Sequence, residues 1–116
     1  MLKNFVRVFV LAAFFVTAVQ MPTVSADRGY FTLVNRSGET LHLLEVINDD
    51  VTVYNCYFSL DNGEELEVDV SSYIGNAEYY DVMIGCGNGM NLHFRQVNIA
   101  EISRIVVNSN GTAQFD

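Results

Sequence analysis

The sequence predicts an all-β fold, a small antiparallel β-sandwich, with a small closed β-barrel as the alternative. Three Asn-Gly dipeptides, at residues 62–63, 88–89 and 110–111, each lie between two strand-like segments. Because Asn and Gly accept positive φ, this dipeptide is the strongest short signal for a β-hairpin. Apolar and polar residues alternate along several segments, and no helical period appears after residue 26.

These turns, together with a fourth at Ser37-Gly38, divide the chain into eight predicted strands. In chain order the strands are Tyr30–Asn35, Thr40–Ile47, Val51–Phe58, Glu64–Val70, Tyr79–Ile84, Met90–Val97, Ile102–Val107 and Thr112–Phe115. Turns at intervals of about eight to twelve residues favour a two-sheet sandwich over a barrel.

The alternation also predicts which side chains face the core. In the fourth strand, Leu66, Val68 and Val70 are apolar and the residues between them are acidic, so one face is buried and the other is solvated. The second strand is apolar on both faces except at His42 and Glu45, which predicts a central position in its sheet. Two more inward rows are predicted by the same rule: Tyr80, Val82 and Ile84, and Met90, Leu92 and Phe94.

The first 26 residues predict a cleavable secretory signal peptide, and residues 27–116 a single exported domain. Lys3 and Arg7 precede an apolar run over residues 8–19, and Val24-Ser25-Ala26 offers a cleavage site before Asp27. A membrane anchor is the weaker alternative, since a helix of about 12 residues spans only about 18 Å of a ~30 Å hydrocarbon core. We therefore expect a periplasmic or extracellular protein.

Both cysteines, Cys56 and Cys86, lie in the predicted exported domain. An oxidising compartment would join them, and closing a loop of about 30 residues would stabilise the fold by about 3–4 kcal/mol. The sequence therefore predicts one disulfide, with two buried free thiols as the alternative.

The charge balance of the chain restricts its partners. The formal net charge is −8, and the predicted leader holds two basic and no acidic residues, which leaves −10 for residues 27–116. This domain contains no lysine. Such a surface repels nucleic-acid phosphates and anionic membranes, so neither is a predicted partner, and it favours solvent or a basic protein.

No enzyme, cofactor or metal is predicted. His42 and His93 are the only histidines, and neither belongs to a nucleophile motif such as G-x-S-x-G. The acidic residues around the 62–63 turn lack the ligand spacing of a calcium loop. A hydrolase with paired carboxylates stays open as an alternative, because many acids are available for such a pair.

The residues that could form a partner surface are acidic or aromatic. Glu65, Glu67 and Asp69 form the solvated row of one strand, and Tyr73 and Tyr79 lie in or beside the loop that follows it. Exposed aromatic side chains can anchor a protein partner. We therefore expect an exported, non-catalytic binding or inhibitory module. Three competing interpretations stay open: the acids form a purely solvated face, the tyrosines pack inward, or the chain is a structural envelope protein.

Two sequences, Asn35-Arg36-Ser37 and Asn110-Gly111-Thr112, match the acceptor pattern for N-glycosylation. Both lie in predicted turns, where a sugar could be attached if the source cell glycosylates exported proteins.

Five short motifs occur in an order that resembles a loose family of small exported bacterial β-sandwich proteins of unassigned function. They are Phe31–Asn35, Ser37-Gly38, a turn centred on Gly63, Tyr80–Val82 and Val97–Ile102. The resemblance covers nearly all of the predicted mature chain and implies an exported β-sandwich with no catalytic residue. The family has cysteines at the positions that Glu78 and Ala100 occupy here, whereas this chain has Cys56 and Cys86.

Overall fold

The computed structural model describes residues 28–116, and the predicted signal peptide lies outside them. The strands are β1 (Tyr30–Arg36), β2 (Leu41–Asn48), β3 (Val51–Leu60), β4 (Glu65–Asp69), β5 (Tyr80–Cys86), β6 (Asn91–Val97), β7 (Arg104–Asn108) and β8 (Ala113–Phe115). All eight predicted strands are confirmed, with ends shifted by at most two residues. Within the described range, no helix is long and apolar enough to cross a membrane.

The strands form two sheets of four. The first sheet has the order β4-β1-β7-β8 and the second has the order β3-β2-β5-β6. The two sheets form a sandwich, as predicted, and β2 lies between β3 and β5 as expected for a central strand. The prediction of an antiparallel fold is wrong at one pair, because β1 and β7 run parallel with Leu33 opposite Ile105. Local turn signals describe only strands that are adjacent in sequence, so they could not predict this pairing.

The turn dipeptides do not all make hairpins. Residues 88–89 join β5 to β6 and residues 110–111 join β7 to β8, which are antiparallel pairs as predicted. Residues 62–63 instead connect β3 in the second sheet to β4 in the first, so the hairpin predicted there is wrong. The β2–β3 hairpin turns at Asp49 and Asp50, whose φ values of 50° and 64° match a type I′ turn.

The core lies between the inner faces of the two sheets. Its largest fully buried side chains come from β1, β2, β5 and β7 and from the 98–103 connection: Phe31, Leu33, Leu41, Leu44, Ile84, Ile99 and Ile105. The inward row of β4 is confirmed, since Val68 and Val70 are buried and Leu66 packs against the core. Met90 departs from the predicted pattern because it lies in the β5–β6 turn and is 56% exposed.

Asn35 is the buried polar residue of this core, with no exposed surface. Its Nδ2 donates to the carbonyl oxygens of Glu39 at 2.6 Å and Leu60 at 2.8 Å, and its Oδ1 accepts from the Ser37 amide at 2.9 Å. Asn35 therefore lies in β1 and not in the predicted turn, and its amide nitrogen is used twice inside the molecule, so a glycan attached there does not fit the folded structure. Asn110 lies in an exposed turn, as predicted.

The predicted disulfide is absent, and Cys56 and Cys86 are free thiols. Cys56 on β3 is opposite Leu44, whereas Cys86 on β5 is opposite Leu41. Because β2 lies between these strands, the two cysteines are separated by two strand spacings, or about 9.5 Å. A disulfide needs Cα atoms within about 7 Å, so the sheet order prevents the bridge.

Candidate binding surface

The predicted acidic row lies on the exposed face of β4, which is an edge strand paired only with β1. Glu65, Glu67 and Asp69 are all exposed, and within residues 28–116 none of them forms an ion pair. Tyr30 donates its hydroxyl to Glu67 at 2.5 Å. We call the three carboxylates the acidic stripe, and their charge is available to a partner.

Asp69, at the end of the acidic stripe, is held by two hydrogen bonds. Its Oδ1 accepts hydrogen bonds from the side-chain hydroxyl of Ser71 at 2.6 Å and from the Ser71 amide at 3.0 Å. Both bonds favour the ionised form, first the hydroxyl and then the amide, and they lower the pKa of Asp69 below its usual value. Asp69 therefore keeps its negative charge under any condition near neutrality.

Tyr73 follows the acidic stripe and is 55% exposed. Its ring meets that of Tyr54 on β3 edge to face, with centroids 5.0 Å apart and an interplanar angle of 65°. Burial raises the pKa of Tyr54 to about 12, and a side-chain hydrogen bond with Cys56 and the charges of Cys56, Tyr73 and Asp69 contribute further. Tyr73 therefore lies against β3, four residues after the end of the acidic stripe.

A groove of about 370 Å³ lies at this point, lined by Thr52, Val53, Tyr54, Asn55 and Tyr73. We call it the tyrosine groove. Tyr54 is not among the predicted surface residues. Its side chain projects from the same face of β3 as Cys56 and is partly buried against the core, and only its contact with Tyr73 brings it into the groove.

Tyr79 belongs to a different groove from Tyr73. It is 50% exposed, and with Asp49, Asp50, Asp81 and Arg95 it helps to line a second groove of about 300 Å³. The structure therefore divides the predicted tyrosine surface into two separate places.

The second groove is lined by residues with an unusual backbone conformation. Asp49, Asp50 and Gln96 are the non-glycine residues with positive φ among residues 28–116, and all three line it. Asp81 lies between them, with its carboxylate 3.4 Å from Nε2 of His93 and 4.0 Å from Nη1 of Arg95. Asp81 is thus already engaged by basic side chains, unlike the acidic stripe.

His42, the other candidate imidazole, contacts the backbone within its own sheet. It lies where the register shifts between β2 and both of its neighbours, and its Nε2 is 2.9 Å from the carbonyl oxygen of Cys86. In the part of the chain that the structure describes, no group of three or more His, Cys, Asp or Glu side chains is placed to hold a metal ion.

Comparison with protein-family models, with curated protein sequences and with solved structures found no match to this chain. The resemblance to small exported bacterial β-sandwich proteins therefore stays a prediction.

Proposed function

We propose that this chain is an exported, non-catalytic binding module that recognises a basic protein through its acidic stripe and the neighbouring tyrosine groove. The observation that supports it most directly is that Glu65, Glu67 and Asp69 form no ion pair among residues 28–116. An unpaired row of charge on an edge strand attracts cations without first having to break an internal ion pair.

The net charge of the whole domain also favours a basic partner. Residues 27–116 carry a net charge of −10 and no lysine, so a basic partner is attracted from a distance of about a Debye length. Tyr73 adds a contact at short range, because a cation above a tyrosine ring is stabilised by about 0.5–2 kcal/mol. Long-range attraction and a local aromatic contact therefore act at one place.

A hydrolase with paired carboxylates is the second candidate, and the second groove supports it. Asp81 lines this groove together with Asp49 and Asp50, so three carboxylates share one groove. A structural role in the cell envelope is a third candidate. Export of the protein is likewise part of the proposal.

The proposed function is tested by the salt dependence of association. The protein is used to capture its partner from the native extracellular or periplasmic fraction, and the association rate is measured in 0.15 M and 1 M salt. The screening length falls from about 8 Å to about 3 Å between these conditions, so we expect the rate to fall at least about tenfold.

The decisive variant replaces the acidic stripe, with Glu65→Gln, Glu67→Gln and Asp69→Asn together. At 0.15 M salt we expect its association rate to approach the high-salt value. A control that neutralises three exposed acids elsewhere, Glu39→Gln, Glu78→Gln and Asp116→Asn, has the same net charge and is exposed at each site. Equal rates for wild type, stripe variant and control would show that the stripe is only a solvated face.

A further inference from the structure

We propose that the basic partner binds by strand addition: an extended segment carrying Arg or Lys pairs with the free edge of β3 and lays a cationic side chain on Tyr73. This inference rests on the proposed function and specifies how the partner is held. β3 pairs only with β2, and among residues 28–116 no backbone–backbone hydrogen bond outside that ladder involves residues 51–60. The side of this strand that faces away from β2 therefore makes no backbone–backbone hydrogen bond. Side chains contact two carbonyl oxygens of the strand: Asn35 Nδ2 donates to that of Leu60 at 2.8 Å, and Cys56 Sγ donates to that of Tyr57 at 3.8 Å.

The other sheet edges are protected in ways that β3 is not. Exposed edges are commonly blocked by charge, by short length or by a bulge. β4 has only five residues and β8 only three, and β6 carries His93, Arg95 and the positive-φ residue Gln96. By contrast, β3 has ten residues and none of them is charged.

The available part of β3 is its middle. Register shifts against β2 occur between Leu41 and Leu43 and between Val46 and Ile47, so both ends of β3 are irregular. The stretch 54–57 pairs regularly with residues 43–46. A segment of about four to six residues can therefore continue the ladder, and its alternate side chains would all point toward the same side of the sheet.

The tyrosine groove supplies the contact for one of those side chains. Tyr73 offers a half-exposed ring that meets the ring of Tyr54, at one end of the regular stretch, with centroids 5.0 Å apart, and it follows Asp69 of the acidic stripe by four residues. An exposed ring next to an acidic row suits a guanidinium or ammonium group, which the ring attracts and a carboxylate can neutralise.

Charge also decides between a basic segment and a second copy of this chain. Acids stand at both ends of β3, with Asp49 and Asp50 before it and Asp61 after it. Antiparallel pairing of β3 with another β3 would bring Asp49 and Asp50 of one copy toward Asp61 of the other. Like charges in such positions repel, whereas a segment with cationic residues is attracted at both ends.

The test uses the exported protein and a ten-residue peptide of alternating Arg and Thr, with two twins of identical charge. One twin is N-methylated at every Arg amide and the other at every Thr amide. In a strand, alternate amides point to opposite sides, so strand addition requires one set and leaves the other free. We expect one twin to bind at least tenfold more weakly than the parent, and the other to bind within about threefold of it.

Amide hydrogen exchange locates the peptide on the protein. We expect alternate amides within residues 54–57 to exchange more slowly in the presence of the parent peptide. Tyr73→Ala should weaken binding several-fold, whereas Tyr79→Ala, a matched control of similar exposure in the second groove, should not.

Three results would overturn strand addition. If both twins bind like the parent while the stripe variant binds weakly, attraction by charge alone is sufficient, and the proposed function survives without this mode. If the parent peptide does not bind, the edge of β3 is not a site for basic segments, whatever the salt experiment shows. If the same amides are already protected in the free protein in proportion to its concentration, a second copy occupies the edge.

Discussion

The side-chain amide of Asn35 in β1 donates a hydrogen bond of 2.8 Å to the carbonyl oxygen of Leu60 at the end of β3. These residues belong to different sheets, so one buried amide links the two layers of the sandwich. Its second donor is used by Glu39, in the β1–β2 connection, at 2.6 Å. The corner where the chain passes between the sheets is thus held by a side chain as well as by the packing of the core.

Replacing Asn35 with Ala should destabilise the fold strongly. The substitution leaves the carbonyl oxygens of Glu39 and Leu60 without their donors in a buried place, and each such loss costs about 1–3 kcal/mol. We expect the free energy of unfolding, measured by urea denaturation, to fall by about 2–4 kcal/mol.

The matched control is Asn110→Ala. Asn110 Oδ1 accepts hydrogen bonds from the amide and hydroxyl of Thr112, as Asn35 Oδ1 does from those of Ser37, but it lies in an exposed turn. Its loss should cost only about 0.5 kcal/mol. Similar effects of the two substitutions would show that the local turn, and not the link between the sheets, accounts for the contribution of Asn35.

The two thiols should react at different rates in the native protein. Cys86 is buried, and burial together with the charge of Glu39 raises the pKa of its thiol, which reduces the reactive thiolate. Cys56 is only partly buried. Reaction with a chromogenic disulfide reagent at neutral pH should therefore show a fast phase that Cys56→Ser removes and a slow phase that Cys86→Ser removes. A protein that reacts only after reduction would contain the bridge that the sheet order forbids.

Tyr54 should ionise at unusually high pH. Burial is the main cause of its pKa of about 12, compared with 10.0 for a free tyrosine. Because the folded pKa is the higher one, the stabilisation of the neutral hydroxyl is complete below pH 10 and is lost as the pH rises from 10 through 12. The difference in tyrosinate absorbance between wild type and Tyr54→Phe should titrate with a midpoint near 12. A midpoint near that of free tyrosine would mean that the hydroxyl is solvated.

The make-up of the candidate surface depends on contacts between residues that are distant in sequence, and there the prediction was wrong. Tyr73 is predictable because it lies in a polar loop, and the structure leaves it half exposed. Tyr79 is similarly exposed but lines another groove, because it precedes β5 at the end of the second sheet next to Arg95. Tyr54 belongs to the surface only because the loop after β4 brings Tyr73 against it, a contact between segments that are far apart in sequence.

The sequence alone determined the local structure of the described chain: eight strands, most of their inward rows and the central position of β2. Each of these follows from interactions over a few residues, namely the alternation of side chains across a strand and the φ preferences of turn residues. The pairing between strands does not follow from such local interactions. The turns at residues 62–63 and 88–89 are both Asn-Gly, yet only the second joins neighbouring strands of one sheet. The tertiary structure alone decided the parallel β1–β7 pair, the separation of Cys56 from Cys86 and the free edge of β3. Those outcomes depend on how two whole sheets bury their apolar faces against each other, which no short segment encodes.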